Sequence, residues 1–171
     1  MKAIELRDPP AEVVALIESR RALGIDGHDE VWEGVYRMPP HADGGHAWLE
    51  AQLPLVLWPR ARAKNLFAYG AANLGDAGDY RVPDGVVTRN RTTDLYFAAA
   101  TMVIEILSPD DDTYRKFEFY AARDVVEILV ADWRTRTVRC FQLTKGAYEE
   151  QSRSALLDVD TATLVDEIDW P

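Results

Sequence analysis

Val82-Pro83-Asp84-Gly85-Val86-Val87, then Met102-Val103-Ile104-Glu105-Ile106-Leu107-Ser108-Pro109, then Tyr114-Arg115-Lys116-Phe117-Glu118-Phe119-Tyr120: these runs within residues 82–120 decide the fold. The middle run is short, apolar and interrupted by one carboxylate. An ionised carboxylate is rarely buried alone, so Glu105 requires a cation, a hydrogen-bond network or a metal. Asp84 begins a second β-rich run, Gly85 to Thr88. Lys116 stands where a helix follows the Glu105 strand. Two carboxylates on neighbouring strands with one lysine form a set suited to a divalent cation and an activated water.

Outward from this centre, a helix is expected over 8–23, capped at Asp8, with Pro9 and Pro10 in its first turn and Gly24 at its end. Glu30 to Met38 reads as one strand. A helix from near Asp43 carries His46, Leu49, Glu50, Leu53 and Leu57, and Pro54 predicts a kink or early stop. His46 and Glu50 share a helix face and could bind metal, although a helix-start histidine and a surface glutamate are the simpler reading, since such pairs are common. Ala63 to Tyr69 and Tyr80 to Thr88 read as strands. Thr101 to Leu107 is a central strand broken by Ser108-Pro109, and Asp110 to Asp112 caps a helix over Thr113 to Ala122. Val125 to Ala131 is an apolar strand containing Glu127. Val138 to Leu143 and Ala147 to Gln151 form a hairpin through Thr144-Lys145-Gly146, and Thr161 to Asp169 offers a last helix.

The ordered set Pro83-Asp84, Ile104-Glu105-Ile106-Leu107-Ser108-Pro109, Lys116 with Tyr120, and Val126-Glu127-Ile128-Leu129-Val130-Ala131-Asp132 resembles the Uma2-type family (DUF820) of the PD-(D/E)XK restriction-endonuclease-like superfamily. The likeness extends upstream to Trp32-Glu33-Gly34-Val35 and His46. One position departs from the superfamily pattern: Glu-X-Lys would put lysine at 107, where this chain has Leu107. The resemblance implies that Lys116, on the following helix, takes that place.

The resemblance further implies an α/β fold: a restriction-endonuclease-like core with a mixed β-sheet flanked by helices, an added N-terminal helix and a C-terminal β-hairpin. One domain over 1–171 is expected. Asp84 and Glu105 would bind Mg²⁺ or Mn²⁺, with the Ile106 carbonyl and Glu33 as further ligands, and Asp84, Glu105 and Lys116 would be catalytic. Glu33 as a plain strand-edge charge, and Lys116 as a surface lysine beside Asp112, remain the alternatives. The activity implied is metal-dependent endonucleolytic hydrolysis of DNA phosphodiesters; the alternative is a catalytically inactive nuclease-fold module for binding or regulation. DNA is the expected partner, a homodimer the expected assembly, and no membrane is involved.

The 171 residues suffice for a real core. No apolar run reaches the roughly 18 residues of a membrane span, and no basic-then-apolar leader opens the chain. The single Cys140 reads as a buried strand thiol, so a reducing cytoplasm is the expected location. A net charge of −10 and a pI near 4.7 argue against non-specific nucleic-acid binding. Arg60, Arg62 and Lys64, and likewise Arg81, Arg89 and Arg91, are local basic groups that read as surface charge.

Overall fold

The computed structural model describes residues 3–108 and 112–171. In chain order the elements are β1 (Ile4–Leu6), α1 (Ala11–Leu23), β2 (Glu30–Trp32), β3 (Val35–Met38), α2 (Gly44–Ala63), β4 (Phe67–Tyr69), β5 (Asn73–Asp76), β6 (Asp79–Arg81) and β7 (Gly85–Thr88). There follow β8 (Tyr96–Phe97), β9 (Met102–Ile106), a 3₁₀ turn (Thr113–Lys116), α3 (Phe117–Ala121), β10 (Glu127–Asp132), β11 (Thr137–Thr144), β12 (Ala147–Gln151), β13 (Arg153–Ser154), β14 (Val159–Asp160) and α4 (Thr161–Glu167).

Among the described residues the strands make two six-stranded mixed sheets, ordered β1-β3-β2-β6-β5-β8 and β12-β11-β10-β9-β7-β4, plus the β13-β14 ribbon. The single expected sheet is therefore two. The division falls inside the expected Tyr80–Thr88 strand: β6 belongs to one sheet and β7 to the other, with Val82, Pro83 and Asp84 between them. Pro83 supplies no N–H for a ladder, which suits it to this crossing. The expected Glu30–Met38 strand likewise folds back on itself. Glu33 and Gly34 both have positive φ, 49° and 81°, as a two-residue primed hairpin turn requires, and Trp32 pairs with Val35.

Strand β9 lies between β10, which runs parallel to it, and antiparallel β7. All five of its residues are buried because both faces are covered. Met102, Ile104 and Ile106 face the cluster that contains Leu49, Leu53 and Leu57 of α2 and Leu164 of α4. Val103 faces the other cluster, with Val86, Ile128, Val130, Phe119 and Tyr120. The period of two thus sends Glu105 to the α3 side of the sheet.

Helix α2 runs through both Pro54 and Pro59, so the kink or stop expected at Pro54 does not end it. An interior proline costs roughly 3 kcal/mol. Leu49, Leu53 and Leu57 are all buried at four-residue spacing, and full burial of a leucine contributes about 1.5–3 kcal/mol, comparable in sum to the two prolines. Helix α1 starts at Ala11 rather than at a capping Asp8, and Gly24 closes it at φ 64°. The β11–β12 hairpin turns through Lys145 and Gly146, both at positive φ. Asp110 and Asp111, two of the three aspartates expected to cap the next helix, lie outside the described residues; Asp112 precedes the 3₁₀ turn without a capping hydrogen bond.

Candidate active site

Three separate segments bring acid and base to one end of the central strands of the second sheet, where β7 begins and β9 finishes. The pairing of Gly85 with Ile104 sets the register, and one further step puts Asp84 opposite Glu105. Asp84 sits in a bend, and its Oδ2 accepts the Ile106 N–H at 2.6 Å. The Ile106 N–H lies opposite Pro83, where the ladder has run out, so the carboxylate takes the place of a strand partner. Its Oδ1 lies 3.0 Å from Nε2 of His46, whose Nδ1 is 3.0 Å from the Ser108 hydroxyl. His46 is held there by the start of α2: the Asp43 side chain caps the helix by accepting the His46 N–H at 2.9 Å.

Glu105 is 2% exposed. The Tyr120 hydroxyl donates to its Oε1, and Lys116 Nζ lies 3.2 Å from its Oε2. Lys116 sits at the end of the 3₁₀ turn and Tyr120 one helical turn further on, so both reach the same strand residue from above. The same Nζ is 3.1 Å from Oε1 of Glu30. Glu30 is itself fixed by the Val82 N–H at 2.7 Å and the Trp32 indole N–H at 2.6 Å. One ammonium therefore bridges carboxylates from both sheets.

Burial raises the Glu105 carboxyl to about 8; Lys116 opposes that shift, Asp84 adds to it, the Tyr120 hydrogen bond opposes it and Glu30 adds to it. Tyr120 is held well above the ordinary phenol value by burial and by the Glu105 charge. The cluster is thus a strained balance of charge, in which a proton or a cation added near Glu105 is favoured.

Glu33 is not part of it. The structure places Glu33 in the exposed β2–β3 turn, with its backbone N–H on Asp79 Oδ1 at 3.1 Å. Glu30, three residues earlier and buried, is the acid that reaches the site, which corrects the expectation that Glu33 lines it. Read as one straight strand, 30–38 gives no reason to single out Glu30; the hairpin turn leaves residue 33 exposed. The available signal was Glu30-Val31-Trp32, a carboxylate and an indole donor on the same face of a strand. His46 is also recast: its partners are Asp84 and Ser108, not Glu50 as a metal pair. Ile106 enters through its N–H on Asp84, and its carbonyl faces the same side of the strand.

Among the described residues no group of three or more His, Cys, Asp and Glu side chains forms a metal cage. The oxygen donors on facing positions of the two strands are the Asp84 and Glu105 carboxylates, with the Ile106 main chain against Asp84, a hard set of the kind that leaves places for water. Each carboxylate oxygen already has one partner but retains further acceptor capacity.

On the other face of the sheet, Glu127 takes no part in this cluster. It accepts from Ser154 Oγ at 2.6 Å and from the N–H groups of Ala155 and Leu156 at 2.8 and 3.0 Å. Cys140 lies against it, buried, with its thiol pushed up to about 12 by burial and by Glu127. Among the described residues no helix is long and apolar enough to cross a membrane.

A family model, Uma2, described as "Putative restriction endonuclease", matches residues 25–169. Among solved structures, the chain is similar to "a putative nuclease belonging to DUF820" from Anabaena variabilis, with a TM-score of 0.64 and 17% identity over 81% of this chain and 89% of that one. At that identity the likeness is one of fold, and it assigns this chain the same nuclease-like α/β architecture. No curated protein matches the chain.

Proposed function

The chain belongs to the Uma2 family, and from that premise we propose that it is a metal-dependent endonuclease hydrolysing DNA phosphodiester bonds at the Asp84–Glu105–Lys116 cluster. The observation that carries the reading is Lys116 Nζ at 3.2 Å from Glu105 and 3.1 Å from Glu30, beside an Asp84 pinned by Ile106 and His46. A buried ammonium among carboxylates at the end of the central strands is a positive charge already in place, and phosphoryl transfer needs such charge where the phosphate oxygens gain theirs.

Asp84 and Glu105, with the Ile106 carbonyl, are the residues that would hold Mg²⁺ or Mn²⁺; the donor chemistry fits a hard cation. When bound, that ion supplies a water of lowered pKa and charge neutralisation at the phosphate. The protein's own part is positional. Ile106 and His46 fix the Asp84 carboxylate, and Tyr120 fixes Glu105 in one orientation. Lys116 is a compact donor with three N–H groups, able to orient the attacking water or to meet a non-bridging phosphate oxygen. In hydrolysis the water oxygen bonds to phosphorus and gives up a proton, one ester P–O bond breaks, and the departing alkoxide takes up a proton, so that one water is consumed in all.

The test is direct. Purified protein is incubated with plasmid and with single-stranded DNA in Mg²⁺, in Mn²⁺ and in EDTA, beside Asp84→Ala. Cleavage that needs the metal and Asp84 is the expected result. A second reading, an inactive binding or regulatory module, draws on the net charge of −10 and on Leu107 at the usual lysine position. Binding of DNA without cleavage in any metal would favour it.

A further inference from the structure

A groove of about 740 Å³ opens between the first sheet and the 3₁₀ turn with α3. In a chain with 19 basic and 29 acidic residues, this one surface collects, among the described residues, Arg7, Arg37, Arg81, Arg115 and Arg123 against four lining carboxylates. With Asp112 paired to Arg37 and Arg115 at its margin, this surface is close to balanced, against the acidic excess of the chain as a whole. Two of the carboxylates are already engaged: Asp79 with Arg81 and Arg123, and Glu5 with Arg37.

The arginines are ordered by aromatic rings. Arg37 lies over Trp32 at 3.9 Å, Arg81 over Trp32 at 4.4 Å and over Phe119 at 4.1 Å, and Arg123 over Phe119 at 3.5 Å. This is a continuous ladder, Arg37–Trp32–Arg81–Phe119–Arg123. A guanidinium stacked on a ring spends its flat face there, while its N–H donors lie in its own plane and stay directed outward. The inner rungs are framework: Arg81 is buried on the Val31 carbonyl, and Arg37 is buried on Asp112. The outer positions are available. Arg7 is exposed and has no ion pair among the described residues. Arg115 is 63% exposed, with a single surface pair to Asp112, an arrangement worth little in water.

The groove shares its wall with the candidate active site. Trp32, in the ladder, donates to the same Glu30 that holds Lys116. Arg115 precedes Lys116 in the chain, and Phe119 precedes Tyr120. We infer that this arginine–aromatic groove is the track for the phosphate backbone of a nucleic-acid strand on its way to the Glu105–Lys116 cluster, an inference that rests on the nuclease reading. Spaced planar donors beside a hydrolytic cluster match a polyanion with regularly repeated phosphates, because each phosphate oxygen pair suits one guanidinium fork. It also reconciles a strongly acidic protein with an anionic substrate: affinity would come from one local surface, not from net charge.

The test uses the full chain carrying Asp84→Ala, in EDTA, with a fluorescein-labelled 20-mer as single strand and as duplex. Anisotropy is followed from 50 to 200 mM salt. Arg7→Gln with Arg115→Gln is compared with Arg62→Gln with Arg89→Gln, two exposed arginines that do not line the groove. Both pairs remove the same charge. The groove pair should weaken binding about tenfold and flatten the salt dependence by about 1.4 in log–log slope for the single strand, since each phosphate contact contributes about 0.7. The control pair should change neither. Equal losses in the two pairs, or no binding by the starting protein, would overturn the inference. The two readings fail separately: wild type that binds through these arginines but never cleaves sinks the nuclease and leaves the groove, while cleavage with no effect of Arg7 and Arg115 does the reverse.

Discussion

Lys116 reaches Glu105 across eleven residues of chain, Nζ to Oε2 at 3.2 Å, from a turn above the strand and not from the strand itself. In the superfamily pattern the lysine follows its glutamate by two positions, where this chain has Leu107. From that turn the Lys116 ammonium also spans to Glu30 in the other sheet. Its charge is thereby shared between two buried carboxylates.

If that charge acts on the attacking water or the phosphate, Lys116→Ala should lower single-turnover cleavage by about 10²-fold or more. Metal affinity should change little or rise, because a neighbouring cation is gone. Lys116→Arg should rescue only in part, since a planar fork does not replace a compact ammonium. Quench-flow cleavage and metal titration of both variants check this; wild-type rates in Lys116→Ala would reduce the lysine to an ion-pair anchor.

If the proposed site holds Mg²⁺ or Mn²⁺ in the folded chain alone, either ion should raise the melting temperature in proportion to the logarithm of its concentration above Kd. Glu105→Gln keeps the shape and removes the anion, so most of that rise should vanish. Differential scanning calorimetry with and without metal is the measurement. Equal rises in wild type and variant would remove Glu105 from the ligand set.

In metal-free protein the pH dependence has a defined sign. The folded Glu105 carboxyl is raised from 4.5 to about 8, by burial first. Between those values the native state holds a proton that the unfolded chain has released, so stability from this group is full below pH 4.5 and is lost as pH rises through about 8. Urea midpoints taken at pH 5, 6.5 and 8 should fall along that series in wild type. Glu105→Gln should show a shallower decline, and parallel curves would contradict the buried, proton-seeking carboxyl.

Glu127 gives a purely structural counterpart on the opposite face. Glu127→Leu would leave the Ser154 hydroxyl and two backbone N–H groups without their acceptor, costing about 3 kcal/mol or more. Glu127→Gln retains an acceptor for the backbone and should cost about 1 kcal/mol. Chemical denaturation measures both. Cleavage per folded molecule should be unchanged in either variant, which separates this buried acid from Glu105.

The chain's local chemistry determined a good deal without a structure. The five-residue apolar run around Glu105 announced a strand covered on both faces, because only such a strand reads as continuous hydrophobe. Gly24, Asp43 and Lys145-Gly146 marked their cap and turn positions, since αL backbone and helix N-termini favour few residue types. Cys140 announced a buried thiol. The order Asp84, Glu105, Lys116 brought three chemical groups to neighbouring strands and the helix that follows, because register and strand–helix sequence depend on short separations. What the tertiary structure alone decided involves groups far apart in the chain. Glu30 and not Glu33 meets Lys116, since a tight turn at 33–34 reverses the strand and leaves one acid exposed while β2, in the same sheet, carries the other inward. His46 finds Asp84 and Ser108, 38 and 62 residues away, only because α2 docks across β7 and β9. Helix α2 continues through two prolines because the leucines on its buried face offset the hydrogen bonds those prolines lack. Local propensity sees one turn of backbone at a time, and these outcomes were settled by burial and charge pairing between segments that meet only in the folded chain.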